Sequence, residues 1–210
     1  MNRQNVDLGS GKVSKLLFSL ALPTITSQIV NMLYNLVDRV YIGHMQPVDT
    51  VGKLALTGVG VCLPIIVVIS AFAALLAMGG APRASIQEGR GNPKEAECIM
   101  GNCFTMLVMA SVVLTVVLQL FARDLLLLFG ASENTIDYAA AYMGIYSLGT
   151  IFVQVTLGMN AYITAQGFTT VSMRTTLIGA GLNIVLDPIF IFGLDMGVRG
   201  AALATILSQA

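Results

Sequence analysis

Charged residues are scarce in this chain of 210 residues, where only 10% are Asp, Glu, Lys or Arg. A typical soluble domain carries roughly 25%. Because a chain of this length exposes a large surface, so low a value excludes a soluble globular enzyme, a disordered chain and a nucleic-acid-binding protein. Eleven basic residues balance eleven acidic ones. The net charge therefore indicates no anionic partner, and we expect no nucleic acid among the partners.

Cysteine is also sparse, and the three cysteines lie in apolar stretches without the spacing of metal ligands. Neither a disulfide framework nor a cysteine-based metal centre is expected. Hydrophobic residues are abundant instead, at 56% of the chain, and the mean hydropathy is +0.81. These values predict an integral membrane protein.

Long uncharged runs indicate how often the chain crosses the bilayer, since a spanning helix needs about 20 mostly apolar residues. Strand-like alternation is absent, so we predict an all-α bundle of six transmembrane helices. The predicted helices cover about 15–44, 51–80, 94–121, 136–165, 173–194 and 199–210. The sixth run is about half the length needed to cross. We therefore expect a fragment whose last helix is truncated.

The distribution of basic residues predicts the orientation in the membrane. With the N-terminus in the cytoplasm, seven of the eleven basic residues, among them Arg3, Lys12 and Lys15, lie on the cytoplasmic side. This bias follows the positive-inside rule. We predict a cytoplasmic segment over 1–14 and a transmembrane lobe over 15–210, with a polar loop at 81–93 and an interfacial apolar run at 125–129.

The first predicted helix carries a stripe of polar side chains on one face. The stripe comprises Thr24, Gln28, Asn31, Asn35 and Asp38, and Tyr34 flanks it. A charge at the middle of a membrane helix costs about 2.5–3.5 kcal/mol on insertion scales. The stripe must therefore face other helices or a water-filled cavity. Packing contacts between helices, worth about 0.6 kcal/mol each, remain an alternative for each single amide.

The fifth predicted helix has a similar face, on which Asn183 and Asp187 lie with Thr176. Pro188 cannot donate a hydrogen bond to the preceding turn, and this frees the carbonyl oxygen of Ile184. In the sixth predicted helix, Thr205 considered by itself is an ordinary helix threonine with no indication of function.

Together, two carboxylates, an asparagine carbonyl and a threonine hydroxyl form an all-oxygen set that suits a hard cation. Alternatively, burial and the nearness of a like charge favour the protonated form of one aspartate, so that the pair carries a proton. The residues by themselves do not separate these two uses.

Three stretches resemble the multidrug and toxic compound extrusion (MATE) family of efflux transporters, of the bacterial multidrug-efflux type. Residues 20–43, LALPTITSQIVNMLYNLVDRVYIG, are similar to the first helix of that family. Residues 183–192, NIVLDPIFIF, and 200–209, GAALATILSQ, resemble the fifth-helix motif and the start of the sixth helix. The resemblance implies twelve helices in two lobes around a central cavity. This chain would be the N-terminal lobe, with the C-terminal lobe of the same polypeptide missing.

The resemblance also implies roles for individual residues. Its cation or proton site matches Asp38, Asn183, Asp187 and Thr205, which become candidate sodium ligands. Pro23 matches the proline at which the first helix is proposed to bend, and we assign Pro188 a bending role as well. Supporting or cavity-lining positions fall on Gln28, Asn31, Tyr34, Asn35 and Asn160.

The function implied is secondary active antiport, in which sodium or protons are exchanged for drugs or other amphipathic, often cationic compounds. We expect a multi-pass protein of a bacterial inner membrane, with no enzymatic activity and no cofactor. Three alternatives are weighed. A flippase for lipid-linked oligosaccharides needs a more basic cavity. An intramembrane aspartyl protease is expected to have a glycine-rich segment before its second aspartate, and this sequence has none before Asp187. A non-transporting scaffold would use the polar stripes only for packing.

Overall fold

The computed structural model describes residues 13–210, without the side chains of Val13 and Lys15. Residues 1–12, which make up most of the predicted cytoplasmic segment 1–14 and include Arg3 and Lys12, lie outside the described residues. Over 13–210 the chain is helical, with no strand. This confirms the predicted all-α bundle.

Seven α-helices follow one another along the described part of the chain. They are α1 (Val13–Gly43), α2 (Lys53–Gly89), α3 (Pro93–Leu128), α4 (Ile136–Leu148), α5 (Thr150–Ala165), α6 (Thr169–Pro188) and α7 (Val198–Gln209). Short π-helical turns at Val48–Gly52 and Ile189–Gly193 precede α2 and follow α6. Four helical segments are long and apolar enough to cross a membrane, and α4 with α5 form a fifth if the bent pair is one span.

Helix α2 continues to Gly89, beyond the predicted end at residue 80, so most of the predicted loop over 81–93 is helical. Residues after Pro82 are mostly good helix formers, and their propensity outweighs the one backbone hydrogen bond that the proline removes. The Ser85 hydroxyl also donates to the carbonyl oxygens of Ala81 and Ala165, at 3.1 and 3.2 Å. The connection to α3 is therefore short.

Helix α3 likewise runs to Leu128, past the predicted end at 121. Within the short apolar run 125–129, Leu126 is fully buried in the core whereas Leu128 is 79% exposed. The predicted place of this run at the membrane interface stays a prediction. Leucine is a strong helix former, so the run extends α3 until Gly130, whose φ of +99° ends the helix.

The predicted helix 136–165 is broken at Gly149 into α4 and α5, which are bent by 58°. A Cβ atom at Gly149 would overlap the side chain of Ile206. Glycine here therefore lets α7 approach the bend closely. Hydrogen bonds from α3 satisfy carbonyls beside the break, since Thr115 donates to Ser147 O at 2.8 Å and Gln119 to Gly144 O at 2.9 Å.

Helix packing sets the frame for the polar residues. α1 packs mainly on α6, whereas α2 packs on α3 and α5, and α7 lies between α4 and α6. A stripe of small or β-branched residues on α2, including Ala55, Cys62 and Ala73, forms much of the core and permits close helix contact. Long apolar side chains on α1 and α3, such as Met32 and Leu120, point outward and are 74% and 70% exposed, as suits a lipid-facing surface.

Candidate functional site

Two acidic residues meet where α1 packs against α6. Asp38 lies near the end of α1 and Asp187 lies one residue before Pro188. Asp187 is fully buried and Asp38 is 7% exposed. Their carboxyl groups are hydrogen-bonding neighbours. The structure therefore brings together the two intramembrane acids, which come from helices far apart in the sequence.

Asn183 lies one helical turn before Asp187 and completes this acid pair. Its Nδ2 donates to Asp187 Oδ1 at 3.3 Å, and its side chain is fully buried. Three buried oxygens of the group, Asp38 Oδ1, Asp187 Oδ2 and Asn183 Oδ1, have no hydrogen-bond partner. Because buried polar atoms nearly always have a partner, these three oxygens are free to accept a hydrogen bond or to bind a ligand.

Arg39 follows Asp38 directly and attracts it electrostatically, but no ion pair between them is found among the described residues. The ion pairs Lys53–Asp49 and Arg123–Asp137 lie on exposed surfaces. The described residues also contain no group of three or more His, Cys, Asp or Glu side chains that could hold a metal ion. The remaining donors are oxygens of two carboxylates and an amide, which suit a hard monovalent cation.

Thr205 is buried close to this group, on α7, but its hydrogen bonds run elsewhere. The hydroxyl donates to the carbonyl oxygen of Ala201 at 3.0 Å, and the phenol of Tyr142 lies close to it. Over residues 13–210 no hydrogen bond joins Thr205 to either aspartate. Its place among the cation ligands stays a prediction.

Tyr142 and Tyr146 of α4 are functional-site residues that the sequence reasoning missed. Both are buried, and their rings stack with centroids 5.8 Å apart. Tyr142 connects α4 to Thr205, and its phenol lies close enough to Asp38 to interact electrostatically. Their spacing of four residues on an otherwise apolar helix was the available signal, since a buried tyrosine hydroxyl usually has a polar partner.

An uncharged cavity lies beside the acid pair at the same α1–α6 interface. The cavity, of about 100 Å³, is lined by polar side chains that include Asn31, Tyr34, Asn160 and Gln209. The Tyr34 hydroxyl lies close to the side chain of Gln209. Asn160 Oδ1 and Gln209 Oε1 are buried without a partner. This cavity can therefore still accept hydrogen-bond donors from a ligand.

The cavity continues into a larger groove of about 470 Å³, which shares Asn31, Asn160 and Thr176 with it and adds Gln28. No charged side chain lines either space. Among the residues predicted as supporting or cavity-lining, Asn35 lines neither of these two spaces. It is exposed, and its Nδ2 donates to the carbonyl oxygen of Asn31 at 2.7 Å.

The predicted bending prolines occupy different settings. α1 stays helical through Pro23, and the Ser27 hydroxyl donates to the Pro23 carbonyl oxygen at 3.0 Å. α6 ends at Pro188 and passes into the π-helical turn Ile189–Gly193. The change of helix type thus directly follows Asp187. Whether either proline bends during a reaction stays a prediction.

Comparison with known proteins identifies the family. The family model described as MatE matches residues 23–189, which is most of the chain. The chain belongs to the MatE family. Among MatE relatives, the multidrug export protein MepA of Staphylococcus haemolyticus is 29% identical over 199 residues, covering 94% of this chain and 43% of its own length. The probable multidrug resistance protein NorM of Thermotoga maritima is 29% identical over 204 residues, covering 94% and 42%.

A solved structure of a MATE protein in complex with MaD3S has the same fold as this MatE chain. The TM-score is 0.85 at 28% sequence identity, and the match covers 95% of this chain and 44% of that one. The chain thus spans about two fifths of the length of the relatives and structures it matches. The matched region corresponds to one helical lobe, and its apolar helices make it a multi-pass membrane protein.

Proposed function

We propose that this chain forms the N-terminal lobe of a multidrug exporter that works by antiport, with sodium or protons as the coupling ion. Support comes from relatives that are a multidrug export protein and a probable multidrug resistance protein. The substrate would be a drug-like amphipathic compound, often a cation, and the membrane would be a bacterial plasma membrane with the N-terminus in the cytoplasm. The C-terminal lobe would complete the substrate cavity.

One observation carries this proposal: three buried oxygens of Asp38, Asn183 and Asp187 lack hydrogen-bond partners, and neither aspartate is in an ion pair with a described residue. Two buried carboxylates without ion-pair partners are costly in a membrane. A bound cation or proton removes that cost. The site therefore exists in two charge states, and this is the requirement for a coupling site.

The mechanism follows from the two charge states. With the acid pair ionised, the lobe stays hydrated and its negative charge attracts a cationic substrate into the neighbouring cavity. With the pair neutralised, the lobe closes and the substrate is released. Ion and substrate then compete through the electrostatics of one lobe, and their binding is linked reciprocally.

Tyr34 is placed to connect the two events. It lies one turn before Asp38 on α1, lines the cavity, and lies close to Gln209 of α7. A movement of α1 on neutralisation of Asp38 would shift Tyr34 and reshape the cavity. Pro23, which precedes Tyr34 and Asp38 in α1, is the candidate point of bending.

A flippase for lipid-linked sugars is less well supported, because neither the cavity nor the groove contains a lysine or arginine for a pyrophosphate group. Uncharged amides and hydroxyls instead suit neutral or cationic compounds of varied shape.

The test is the variant Asp38→Asn in the complete reading frame that contains this chain. We expect efflux from inside-out or whole-cell preparations to fall to background, because the neutral amide cannot change charge with the ion. The control is Asp137→Asn, which removes an acid of similar chemistry whose side chain is 78% exposed. Unchanged drug efflux in Asp38→Asn, at wild-type expression, would refute the proposal.

Reconstituted vesicles separate the two coupling ions. A sodium gradient without a pH gradient, and the reverse, are imposed in turn while efflux of a fluorescent cation is followed. If sodium couples transport, replacing Asn183 with leucine should raise the half-saturating sodium concentration, because the asparagine oxygen is one of the three available ligands. If protons couple transport, that variant should leave the proton dependence nearly intact, since only the carboxylates bind the proton.

A further inference from the structure

Away from the acid pair, an open trench of about 840 Å³ lies between α2 and α3. Its size is within the roughly 300–1,000 Å³ of small-molecule sites. The helices on either side of it expose apolar side chains, such as Leu75 and Phe104, at 69% and 44%. The trench therefore opens on an apolar surface that suits contact with lipid, and neither Asp38 nor Asp187 lines it.

The α2 wall of the trench changes from apolar to basic along one helix face. Leu75, Gly79, Arg83 and Gln87 follow at intervals of four residues, and Arg90 continues the row. From Leu75 to Arg83 the helix rises about 12 Å, at about 1.5 Å per residue. This is close to the thickness of one leaflet of the hydrocarbon core, about 15 Å. The wall thus matches the profile of a phospholipid, with the acyl chain beside Leu75 and the headgroup beside the arginines.

The α3 wall runs in the opposite chain direction, from its polar end toward the membrane interior. Glu95 lies at the polar end, as the arginines of α2 do, and Ile99 continues the wall toward the interior. Asn102 lies below Ile99, and its only described hydrogen bond is a long one of 3.7 Å to Cys98 Sγ. An exposed amide beside lipid needs a better acceptor. The ester carbonyl of a bound glycerolipid is an acceptor at this depth.

Two adjacent glycines of α2 have different surroundings, and only one of them borders open space in the trench. A Cβ atom at Gly80 would overlap Tyr162 and Cys103, so this glycine is required by helix packing. A Cβ atom at Gly79 would meet no atom within 4 Å. Gly79 therefore leaves open a trench that a larger side chain could fill without disturbing the fold.

The charge of the trench indicates which headgroup it binds. Arg83 and Arg90 form no ion pair with any described residue, and neither does Glu95. These side chains give the lining a net charge of one positive unit. A headgroup with one net negative charge balances it, whereas a zwitterionic headgroup does not. We propose that the trench between α2 and α3 binds an anionic phospholipid, with its phosphate at Arg83 and Arg90 and one acyl chain over Gly79.

The experiment is native mass spectrometry of the complete reading frame in detergent micelles. The protein is titrated with phosphatidylglycerol and, separately, with phosphatidylethanolamine of the same acyl chains. Glycerol 3-phosphate is added as a competitor to distinguish a lipid site from a site for a free phosphate. The variants are the double substitution Arg83→Gln with Arg90→Gln, Gly79→Leu and Glu95→Gln.

Each variant has a matched control. Lys94→Gln removes a positive charge at the same end of the lobe, from an exposed residue outside the trench. Gly101→Leu fills an exposed glycine of α3 where a Cβ atom likewise meets nothing, but outside the trench. Size-exclusion profiles of all variants establish that they are folded.

We expect phosphatidylglycerol to bind at least tenfold more tightly than phosphatidylethanolamine. The double arginine variant should bind phosphatidylglycerol about thirtyfold more weakly, since each basic residue near anionic lipid is worth about 1 kcal/mol. Gly79→Leu should weaken binding of both lipids, and Glu95→Gln should strengthen binding of phosphatidylglycerol. Lys94→Gln and Gly101→Leu should change binding by less than twofold.

Several outcomes would overturn the proposal. Equal binding of phosphatidylglycerol to wild type and to the double arginine variant would remove the phosphate from Arg83 and Arg90. No effect of Gly79→Leu on lipid binding would mean that no acyl chain lies in the trench. The same would follow if another part of the polypeptide were found to cover the trench. If the protein binds phosphatidylethanolamine as tightly as phosphatidylglycerol, and if Glu95→Gln loses the binding of phosphatidylethanolamine, the trench would be assigned to a zwitterionic lipid instead. Full displacement by glycerol 3-phosphate would reduce it to a phosphate site.

Discussion

The interface of α1 with α6 contains two polar regions that differ in almost every property. The acid pair of Asp38 and Asp187 is buried and ionisable, and lies where both helices end. The groove beside it is open and uncharged, and is lined by amides and hydroxyls that include Gln28, Asn31 and Asn160. The same two helices thus provide a closed site for a small ion and an open space for a larger compound.

This difference shows how one lobe can be selective for an ion and permissive for a substrate. A carboxylate in the membrane is costly unless it is paired or neutralised, so the acid pair needs a defined partner. An amide costs less and has both donor and acceptor atoms. The groove can therefore accept compounds of different shape without a fixed charge pattern. If transport follows our proposal, efflux depends on where the carboxylate lies in the lobe more than on the total charge of the lobe.

The largest effect is expected from moving the charge between the two regions. In the double variant Asp38→Asn with Asn31→Asp, the net charge is unchanged but the carboxylate lies in the cavity wall. We expect efflux to stay at background, because the new carboxylate has neither Asp187 nor Asn183 beside it. The measurement is drug efflux from energised cells.

Asp38→Glu serves as the control for this experiment, since it keeps a carboxylate near the original position and should retain measurable efflux. Recovery of more than half of the wild-type rate in the double variant would mean that only the total charge of the lobe matters. The comparison between the two regions would then fail.

A smaller effect is expected from the groove. Asn160→Leu removes a buried amide oxygen that lacks a partner, and should change efflux of individual compounds by about tenfold, up or down, according to their hydrogen-bonding groups. Dependence on the coupling ion should be unaltered. Asn35→Leu, at an exposed position that lines neither space, should leave the substrate profile as it is. A changed ion dependence with an unchanged substrate profile would contradict the separation of the two regions.

The smallest effect is expected from the support of the acid pair. Tyr142→Phe removes the buried phenol hydroxyl beside Thr205, and the free energy of unfolding should fall by about 1 kcal/mol. Tyr138→Phe, at a half-buried position earlier on α4, should have little effect. The measurement is the midpoint of denaturant unfolding in detergent. If the midpoint is unchanged while efflux is lost, Tyr142 acts in transport and not through stability.

Helix positions could be predicted from the sequence because hydropathy is a property of about 20 consecutive residues. The ends were less accurate, for physical reasons that differ from case to case. α2 and α3 extend beyond their apolar runs because helix propensity continues to Gly89 and Leu128. The break at Gly149 depends on the approach of Ile206 from α7, and no local pattern announces it.

The candidate site shows the same division. The cost of a charge in the membrane identified Asp38 and Asp187, and helical spacing added Asn183. Tyr142 and Gln209 were missed because their polar tips become informative only when their neighbours Thr205 and Tyr34 are known. Asn35 shares the polar stripe of α1 with Asn31, yet it is exposed while Asn31 lines the cavity. A helical stripe is wider than the face that a neighbouring helix covers.

The sequence by itself determined that this is a helical membrane protein, and it determined which of its few charges lie where a charge is costly. Only the tertiary structure decided which polar atoms meet, which of them lack partners, and where trenches remain open between helices. The physical reason is that insertion into a bilayer depends on the composition of each segment. Convergence of Asp38 with Asp187, and the space over Gly79, depend on how separate helices pack against one another.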